Sequence, residues 1–275
     1  MQIDVIEILV SFDKKYIGPF RVMLRSLAAT NPGERFRVWL LHSAIPGEAL
    51  QALADYCAAL GISLSPLKVN RALFEAAPVS KRYPREMYYR LLAPALLPPE
   101  LERVLYLDPD ILVLNPVRPL WEQELGGRIF AAAAHSGAAE LVDGVNRARL
   151  GSGSVYFNTG VLLMDLTKAR ESVRSEAVFA CVEEEGERLL LPDQDVFNRL
   201  YGASTLPLED TIWNYDARHY SAYRLRSMGK CSLDWIMQNT VFLHFCGRQK
   251  PWKAGVRGRF AALYKHYSRL AERAE

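Results

Sequence analysis

The N-terminal part of the chain alternates short apolar runs with amphipathic segments, and this alternation constrains the fold more than any other feature. Apolar runs at residues 5–12, 36–41 and 62–69 are too short for helices and predict buried strands. Between them, residues 16–27 and 46–60 place apolar side chains on one helical face. Strand, helix, strand, helix, strand at this spacing predicts right-handed βαβ units. The expected fold class is α/β, with a mostly parallel central sheet flanked by helices.

The same pattern continues along the chain without a linker, a repeat or a low-complexity tract. Further strands are predicted at residues 103–107, 111–114, 129–134, 156–166 and 241–245, and helices at 84–97, 168–187 and 193–201. Residues 135–154 are polar and glycine-rich, which predicts a long loop or a small subdomain. We expect one domain over residues 1–252, followed at 253–275 by a C-terminal amphipathic helix that packs on the domain or extends it.

The composition argues against several classes of protein. Half of the 275 residues are hydrophobic and 24% are charged, the balance of an ordinary globular enzyme. A net charge of +3 is too weak to indicate nucleic-acid binding. The four cysteines form no CxxC pair, which argues against a zinc cluster or a disulfide framework. Neither a GxGxxG nor a Walker loop follows the first strands, so dehydrogenase-type dinucleotide binding and P-loop hydrolysis are not expected.

The N-terminal sequence predicts a cytoplasmic protein. Acidic residues stand where a signal peptide needs a basic region and an apolar core. No apolar run approaches the ~20 residues of a membrane-spanning helix. Residues 257–273 are amphipathic and basic, so a peripheral contact with the inner face of a membrane stays open, although packing on the domain is the expectation.

Two carboxylates separated by one residue, Asp108 and Asp110, lie between two strongly apolar segments. In an extended chain residues i and i+2 point the same way, so both carboxylates can face one point. Such a pair is costly to hold together unless a cation or a donor neutralises it. Hard oxygen ligands suit Mn²⁺ or Mg²⁺, which can then bridge a substrate diphosphate. Taken alone, Asp-Pro-Asp also fits a simple turn.

A second block, HFCGRQKPW at residues 244–252, carries three residue types suited to a metal–phosphate site. His244 can bind a metal through a neutral ring nitrogen. Gly247 lets the backbone approach an anion, and Lys250 supplies a positive charge for phosphate. By itself the block also fits a core histidine followed by a turn, and its conjunction with the two aspartates is what favours a site.

These motifs and four others, in this order, resemble glycosyltransferase family 8, which includes bacterial lipooligosaccharide galactosyltransferases and glycogenin. The matching segments are SFD at residues 11–13, YYRL at 88–91, VLYLDPDILV at 104–113, YFNTGVLLMD at 156–165, PDQDVFN at 192–198 and the block at 244–252. The resemblance covers nearly the whole chain. It implies a GT-A-type nucleotide-sugar-binding domain that transfers a hexose, with retention of configuration, from UDP-galactose or UDP-glucose to a glycan, lipid-linked or protein acceptor.

The resemblance also implies a role for each matching residue. Asp108, Asp110 and His244 would hold Mn²⁺ or Mg²⁺ against the diphosphate of the donor. Gly247 and Lys250 would close over the phosphates. The remaining implied contacts are Asp13 and Tyr16 with the nucleotide, Arg90 with the nucleotide or donor sugar, and Asn158, Asp193 and Gln194 with the donor sugar, Asp193 and Gln194 being the catalytic candidates.

Several of these residues have simpler interpretations from the sequence alone. Asp13 and Asp193 could each cap a helix. Arg90 could be a solvated helix charge, and Gln194 a polar residue of a first turn. Asn158 lies in an apolar run, where a buried amide needs partners, so a site role is favoured.

Three features depart from the family pattern and leave the substrates open. Lys14 and Lys15 follow Asp13 where relatives often carry acidic or amide residues, so the uracil edge could be contacted differently. His135 stands about where some relatives place an aspartate that touches the donor hexose, so the hexose stays open. The chain also ends soon after Trp252, without the longer basic and aromatic tail that some relatives use at membranes.

Two other functions compete with the transferase. A phosphatase of the haloacid dehalogenase type also ends a strand in DxD, but its motif usually opens the chain, and His244 and Lys250 would have no role. A sugar-nucleotide-binding module without turnover is disfavoured because all of the expected metal ligands are present.

Overall fold

The computed structural model describes residues 4–75, 77–78, 86–134 and 155–273. Residues 135–154, predicted as a loop or subdomain and including His135, therefore lie outside the described residues, as do the first two residues of the helix predicted at 84–97.

The described residues form ten strands. These are β1 Ile6–Ser11, β2 Phe36–His42, β3 Ile62–Lys68, β4 Arg103–Leu107, β5 Ile111–Val113, β6 Phe130–Ala134, β7 Phe157–Asp165, β8 Thr205–Glu209, β9 Tyr215–Asp216 and β10 Phe242–His244. Seven of them build one sheet in the order β3-β2-β1-β4-β7-β6-β8. Only β7 runs antiparallel to its neighbours β4 and β6, so the prediction of a mostly parallel sheet is confirmed. The other three form a small sheet, β5-β10-β9.

Helices connect the strands. They are α1 Ile17–Thr30, α2 Gly47–Ala59, α3 Glu86–Leu91, α4 Ala93–Leu96, α5 Arg118–Trp121, α6 Leu166–Ser172, α7 Ser175–Glu185, α8 Pro192–Tyr201, α9 Asp210–Trp213, α10 Tyr220–Arg226, α11 Leu233–Asn239 and α12 Arg259–Glu272. None of the helices in the described ranges has the length and apolarity needed to cross a bilayer.

Two helices predicted as continuous are each broken in two. The segment expected at 84–97 is interrupted at Leu92, since Pro94 has no N–H with which to continue the hydrogen-bond ladder. The segment expected at 168–187 begins earlier, at Leu166, because Asp165 caps it by accepting a hydrogen bond from the Lys168 N–H at 3.0 Å. It then breaks at Val173, whose backbone is extended and whose side chain is buried.

The core consists of two apolar clusters that share the strands of the large sheet. Alternate residues of β1 go to opposite clusters, with Ile8 and Val10 in one and Leu9 in the other. The C-terminal helix α12 joins the first cluster through Phe260 and Tyr264, so it packs on the domain against α1. This core fixes the edge of the sheet at which the polar residues collect.

Candidate active site

A cleft of about 680 Å³ opens where β1 and β4 end and β7 begins. Because β7 runs antiparallel, its N-terminal end meets the carboxyl ends of the two parallel strands at the same edge, the position where α/β sheets bind ligands. All of the site residues predicted from the sequence line this cleft, namely Asp13, Tyr16, Arg90, Asp108, Asp110, Asn158, Asp193, Gln194, His244, Gly247 and Lys250. The structure thus brings together residues from distant parts of the chain, and their individual roles stay predictions.

Asp108, Asp110 and His244 form one cluster, with a ligand atom of each lying within 4.8 Å of the others. His244 Nε2 is 3.2 Å from Asp110 Oδ1 and 3.6 Å from Asp108 Oδ2. The small sheet produces this approach, since His244 on β10 pairs with Ile111 on β5, the residue after the second aspartate. Asp110 and His244 are almost fully buried. Three ligands of this kind around one point suit a divalent cation.

The orientation of the His244 ring is set by a chain of amide side chains. Asn158 Oδ1 accepts hydrogen bonds from the Gly160 N–H at 2.8 Å and from Asn214 Nδ2 at 2.7 Å. Asn214 Oδ1 therefore faces His244 Nδ1, at 2.9 Å, and accepts a hydrogen bond from it. His244 Nε2 is left to face the carboxylates. Metal-binding histidines are commonly oriented in this way, by a hydrogen bond from the other ring nitrogen, here to Asn214.

The charges in the cluster fit a cation. Burial alone would lower the pKa of His244, but the neighbouring Cys246 and Asp110 raise it above its usual value. Burial alone would raise the pKa of Asp110, and ion pairs with His244 and Lys250 outweigh it, so the pKa is lowered. A divalent ion binds the neutral imidazole and the ionised carboxylates, so its binding would compete with protonation of His244. The residues present fit Mn²⁺ or Mg²⁺.

Gly160 on β7 is required for this geometry. A Cβ atom at this position would lie 2.3 Å from His244 Cε1, 2.7 Å from His244 Nδ1 and 3.0 Å from Asp108 Oδ2. The Gly160 carbonyl also accepts a hydrogen bond from the Asp108 N–H at 2.8 Å. The sequence motif at residues 156–165 contains Gly160 but does not indicate this role, and Asn214 was not predicted as a site residue. The signal that favoured Asn158, an amide among apolar residues, is also present at Asn214.

Arg90 connects the cluster to the start of α8. Its guanidinium lies 2.9 Å from Asp108 Oδ1 and 3.2 Å from Asp193 Oδ2, and it stacks over the Tyr106 ring at 4.7 Å. Tyr106 in turn donates a hydrogen bond to Asp108 Oδ1 at 2.8 Å. Burial opposes the charge of Arg90, yet Asp108, Tyr106 and Asp193 raise its pKa. Arg90 is therefore a mostly buried, paired cation and not a solvated helix charge.

The first turn of α8 presents Asp193 and Gln194. The helix begins at Pro192 with Leu191 as its N-cap residue, so Asp193 is not the cap. Asp193 instead pairs with Arg90, while Gln194 is almost fully buried and lines the cleft. Both polar side chains therefore line the same cleft as Asp108, Asp110 and His244.

At the end of β1, Asp13 caps a short 3₁₀ turn by accepting a hydrogen bond from the Lys15 N–H at 2.8 Å. Asp13 thus caps a helical turn, as one interpretation of the sequence predicted, and its exposed side chain also lines the cleft. Tyr16 follows and packs edge-to-face on Trp252, with ring centroids 5.9 Å apart. Burial raises the pKa of Tyr16. This contact joins the first strand to the C-terminal block.

The C-terminal block places Lys250 against Asp110 of the Asp108–Asp110–His244 cluster. Lys250 Nζ contacts the Asp110 carboxylate and donates a hydrogen bond to the Phe245 carbonyl at 2.8 Å. Gly247 adopts a φ of +78°, a conformation that favours glycine, and reaches the cleft with its backbone. Arg218, which sequence reasoning missed, lines the cleft beside Gly247.

The sheet order and the cleft at its edge are those of a GT-A-type fold. The galactosyltransferase LgtC, solved with donor and acceptor sugar analogues, superposes with a TM-score of 0.79 over 96% of both chains at 24% identity. General stress protein A of Bacillus subtilis is 26% identical over 96% of this chain and 93% of its own length. A lipopolysaccharide 1,2-glucosyltransferase of Escherichia coli K12 is 25% identical over 87% of this chain and 70% of its own.

The family model of glycosyl transferase family 8 matches residues 7–255. The chain belongs to this family and is a glycosyltransferase, as its sequence motifs indicated. The match runs through every segment on which the resemblance rested.

Proposed function

We propose that the protein transfers a hexose from a UDP-sugar to a glycan acceptor, with retention of configuration and with dependence on a divalent metal. The observation that carries the proposal is the convergence of Asp108, Asp110 and His244 with two cations, Arg90 and Lys250, in one cleft. Acidic metal ligands beside lysine and arginine suit a diphosphate better than an uncharged ligand. The acceptor class is supported by the names of relatives that build lipopolysaccharide.

Breaking the bond between sugar and phosphate leaves negative charge on UDP. Mn²⁺ or Mg²⁺ held by Asp108, Asp110 and His244 would stabilise that charge without a proton transfer. Lys250, mostly buried beside Asp110, would add a fixed positive charge on the same side. Arg90 would hold Asp108 and Asp193 in place at the same time, linking metal binding to the sugar-facing turn of α8.

The residues of α8 support retention through attack from the same face as the departing UDP. A double displacement needs a nucleophile beneath the anomeric carbon. Asp193 is engaged by Arg90, and the carbonyl oxygen of Gln194 is a poor nucleophile. Gln194 would then stabilise the positive charge that develops on the sugar ring, and a phosphate oxygen of UDP would take the proton from the acceptor hydroxyl.

The direct test is hydrolysis of UDP-galactose and UDP-glucose by the pure protein, with Mn²⁺ and with excess chelator. Asp110→Asn should weaken metal and UDP binding together and slow turnover by roughly 10²–10³-fold, as for loss of a comparable electrostatic partner. Turnover that persists undiminished in chelator would refute metal dependence. Binding of UDP-sugars without any turnover would favour the binding-module alternative.

The stereochemistry is read by proton NMR of the first product formed from an α-linked donor. An α-linked product is expected. A β-linked initial product would overturn retention and the roles of Asp193 and Gln194 with it.

A further inference from the structure

Arg218 is a cleft residue to which donor and metal binding assign no role. It follows β9 and is held by Asp216, whose side chain is buried. The Asp216 carboxylate accepts hydrogen bonds from the Arg218 backbone N–H at 2.9 Å, from Nε at 3.0 Å and from Nη2 at 2.6 Å. His219 Nε2 lies 3.6 Å from the same carboxylate. One edge of the guanidinium is thereby fixed.

The other edge of the guanidinium faces the cleft. Arg218 Nη1 lies so close to Gly247 that a Cβ atom there would be 2.6 Å away. Within residues 4–75, 77–78, 86–134 and 155–273, Nη1 has no hydrogen-bond partner, while Nε and Nη2 are both used. Two N–H groups of a preorganised arginine are therefore available for an oxyanion such as phosphate or carboxylate.

The position of Arg218 at the mouth of the cleft distinguishes it from the cations of the donor side. Its side chain is 50% exposed, whereas those of Arg90 and Lys250 are 16% and 13% exposed and contact the metal-binding carboxylates. Arg218 contacts neither Asp108 nor Asp110 among the described ion pairs. Within the part of the chain that the structure describes, its ion-pair partner is Asp216.

The chain segment that passes Arg218 at Gly247 is basic. Residues 246–259 contain five lysines and arginines and no acidic residue. Arg248 and Lys253, the exposed cations of this stretch closest in sequence to Gly247, follow it directly or within a few residues. Positive charge close to Arg218 favours ligands of the opposite sign at this position.

We propose that Arg218 recognises an anionic group, a phosphate or a carboxylate, carried by the acceptor glycan near the hydroxyl that receives the sugar. The proposal rests on the transferase function and names its acceptor as an anionic glycan. Arg218 is a specificity-determining residue, with Asp216 holding it and Gly247 making room for it.

The test uses the full chain loaded with UDP and Mg²⁺, so that the donor phosphates already fill their own positions. Glucose 6-phosphate is the probe and glucose its neutral match, titrated by calorimetry. The wild type should bind the phosphorylated sugar at least ~10-fold more tightly, and Arg218→Gln should remove roughly 10-fold or more of that affinity, the usual effect of losing a charge-assisted hydrogen bond. The affinity for UDP should change less than about twofold.

Three further variants control the experiment. Arg218→Lys keeps the charge but not the fork, so it should recover only part of the affinity. If Arg218→Gln folds poorly, the double variant Asp216→Asn/Arg218→Gln takes its place, because it leaves no buried unpaired carboxylate. It should show the loss of probe affinity expected for Arg218→Gln. Arg224→Gln alters an exposed arginine that lines a separate groove and should bind the probe as the wild type does.

Equal binding of the probe by the wild type and Arg218→Gln would overturn the proposal. So would equal binding of glucose and glucose 6-phosphate by the wild type, or a tenfold loss of UDP affinity in Arg218→Gln, which would place the residue at the donor diphosphate. These results are separable from failure of the transferase function, which would show as absence of metal-dependent UDP-sugar hydrolysis in the wild type.

Discussion

Replacing Gly160 by alanine is the sharpest single test of how the fold builds the site. The added Cβ would meet His244 Cε1 at 2.3 Å, whereas ordinary contact begins at 3.4 Å, so the ring must move by about 1 Å. His244 is buried and its Nδ1 is bonded to Asn214, so the ring cannot retreat without breaking that hydrogen bond or shifting β10. The same methyl group lies 3.0 Å from Asp108 Oδ2.

We expect Gly160→Ala to impair metal binding more than folding. A misplacement of about 1 Å in a reacting geometry typically costs on the order of 10²-fold in rate, and loss of a ligand's orientation costs roughly 10–100-fold in metal affinity. Overpacking of a buried site destabilises by about 1–3 kcal/mol. The rate and the metal affinity are measured from the Mn²⁺ dependence of UDP-sugar hydrolysis. The loss of stability is measured by urea unfolding.

Two comparisons isolate the contact with His244. Gly47→Ala changes an exposed glycine with no atom within 4 Å of its added Cβ, and it should leave activity and stability nearly unchanged. In a His244→Ala background the clash partner is absent, so Gly160→Ala should cost less stability than it does in the wild type. An identical cost in both backgrounds, or a wild-type Mn²⁺ dependence for Gly160→Ala, would refute the reasoning.

Three further predictions concern two contacts of the site and one helix cap away from it. Asn214→Leu removes the acceptor that orients His244 and should weaken Mn²⁺ binding by roughly 10–100-fold by calorimetry, while Asn214→Asp, which keeps an acceptor, should lose less. Tyr106→Phe removes one hydrogen bond to Asp108 and should weaken metal binding by about 0.5–1.5 kcal/mol in the same assay. If metal binding is unchanged, Arg90 alone holds the carboxylate. Asp165→Ala should lower the free energy of unfolding by about 1 kcal/mol at neutral pH, because Asp165 caps α6. Burial raises the pKa of Asp165, but its contacts with Lys168 outweigh burial and lower the pKa below the usual value of 3.8. The stabilisation by Asp165 is therefore complete above pH 3.8 and is lost as the pH falls through the folded-state pKa. Urea titrations in strong acid should show no difference between Asp165→Ala and the wild type.

Much of the fold was predictable because the relevant signals are local. The apolar runs of β1, β2 and β3 and the one-sided faces of α1 and α2 are periodicities within a few turns of chain. By contrast β8 was missed, because its sequence, TLPLE, is short, contains a proline and is half exposed. It becomes a strand only because β6 offers it a parallel partner at the edge of the sheet.

The site divides in the same way. The spacing of Asp108 and Asp110 and the block from His244 to Lys250 are contiguous in sequence, and they determined the candidate metal ligands and phosphate-facing residues. The bonds that orient these groups join residues far apart in the chain, such as Asn158 with Asn214, and nothing in either local sequence specifies the partner.

What the sequence alone determined is therefore the inventory of chemical groups and the elements that carry them. Only the tertiary structure decided which groups meet. Pairing of β10 with β5 and β9 brings His244 to the aspartates and positions Asp216 to hold Arg218, and the missing side chain of Gly160 leaves the space that the histidine ring fills. The physical reason is that periodicity and turn chemistry act over a few residues, whereas close packing and burial of charge depend on which elements become neighbours.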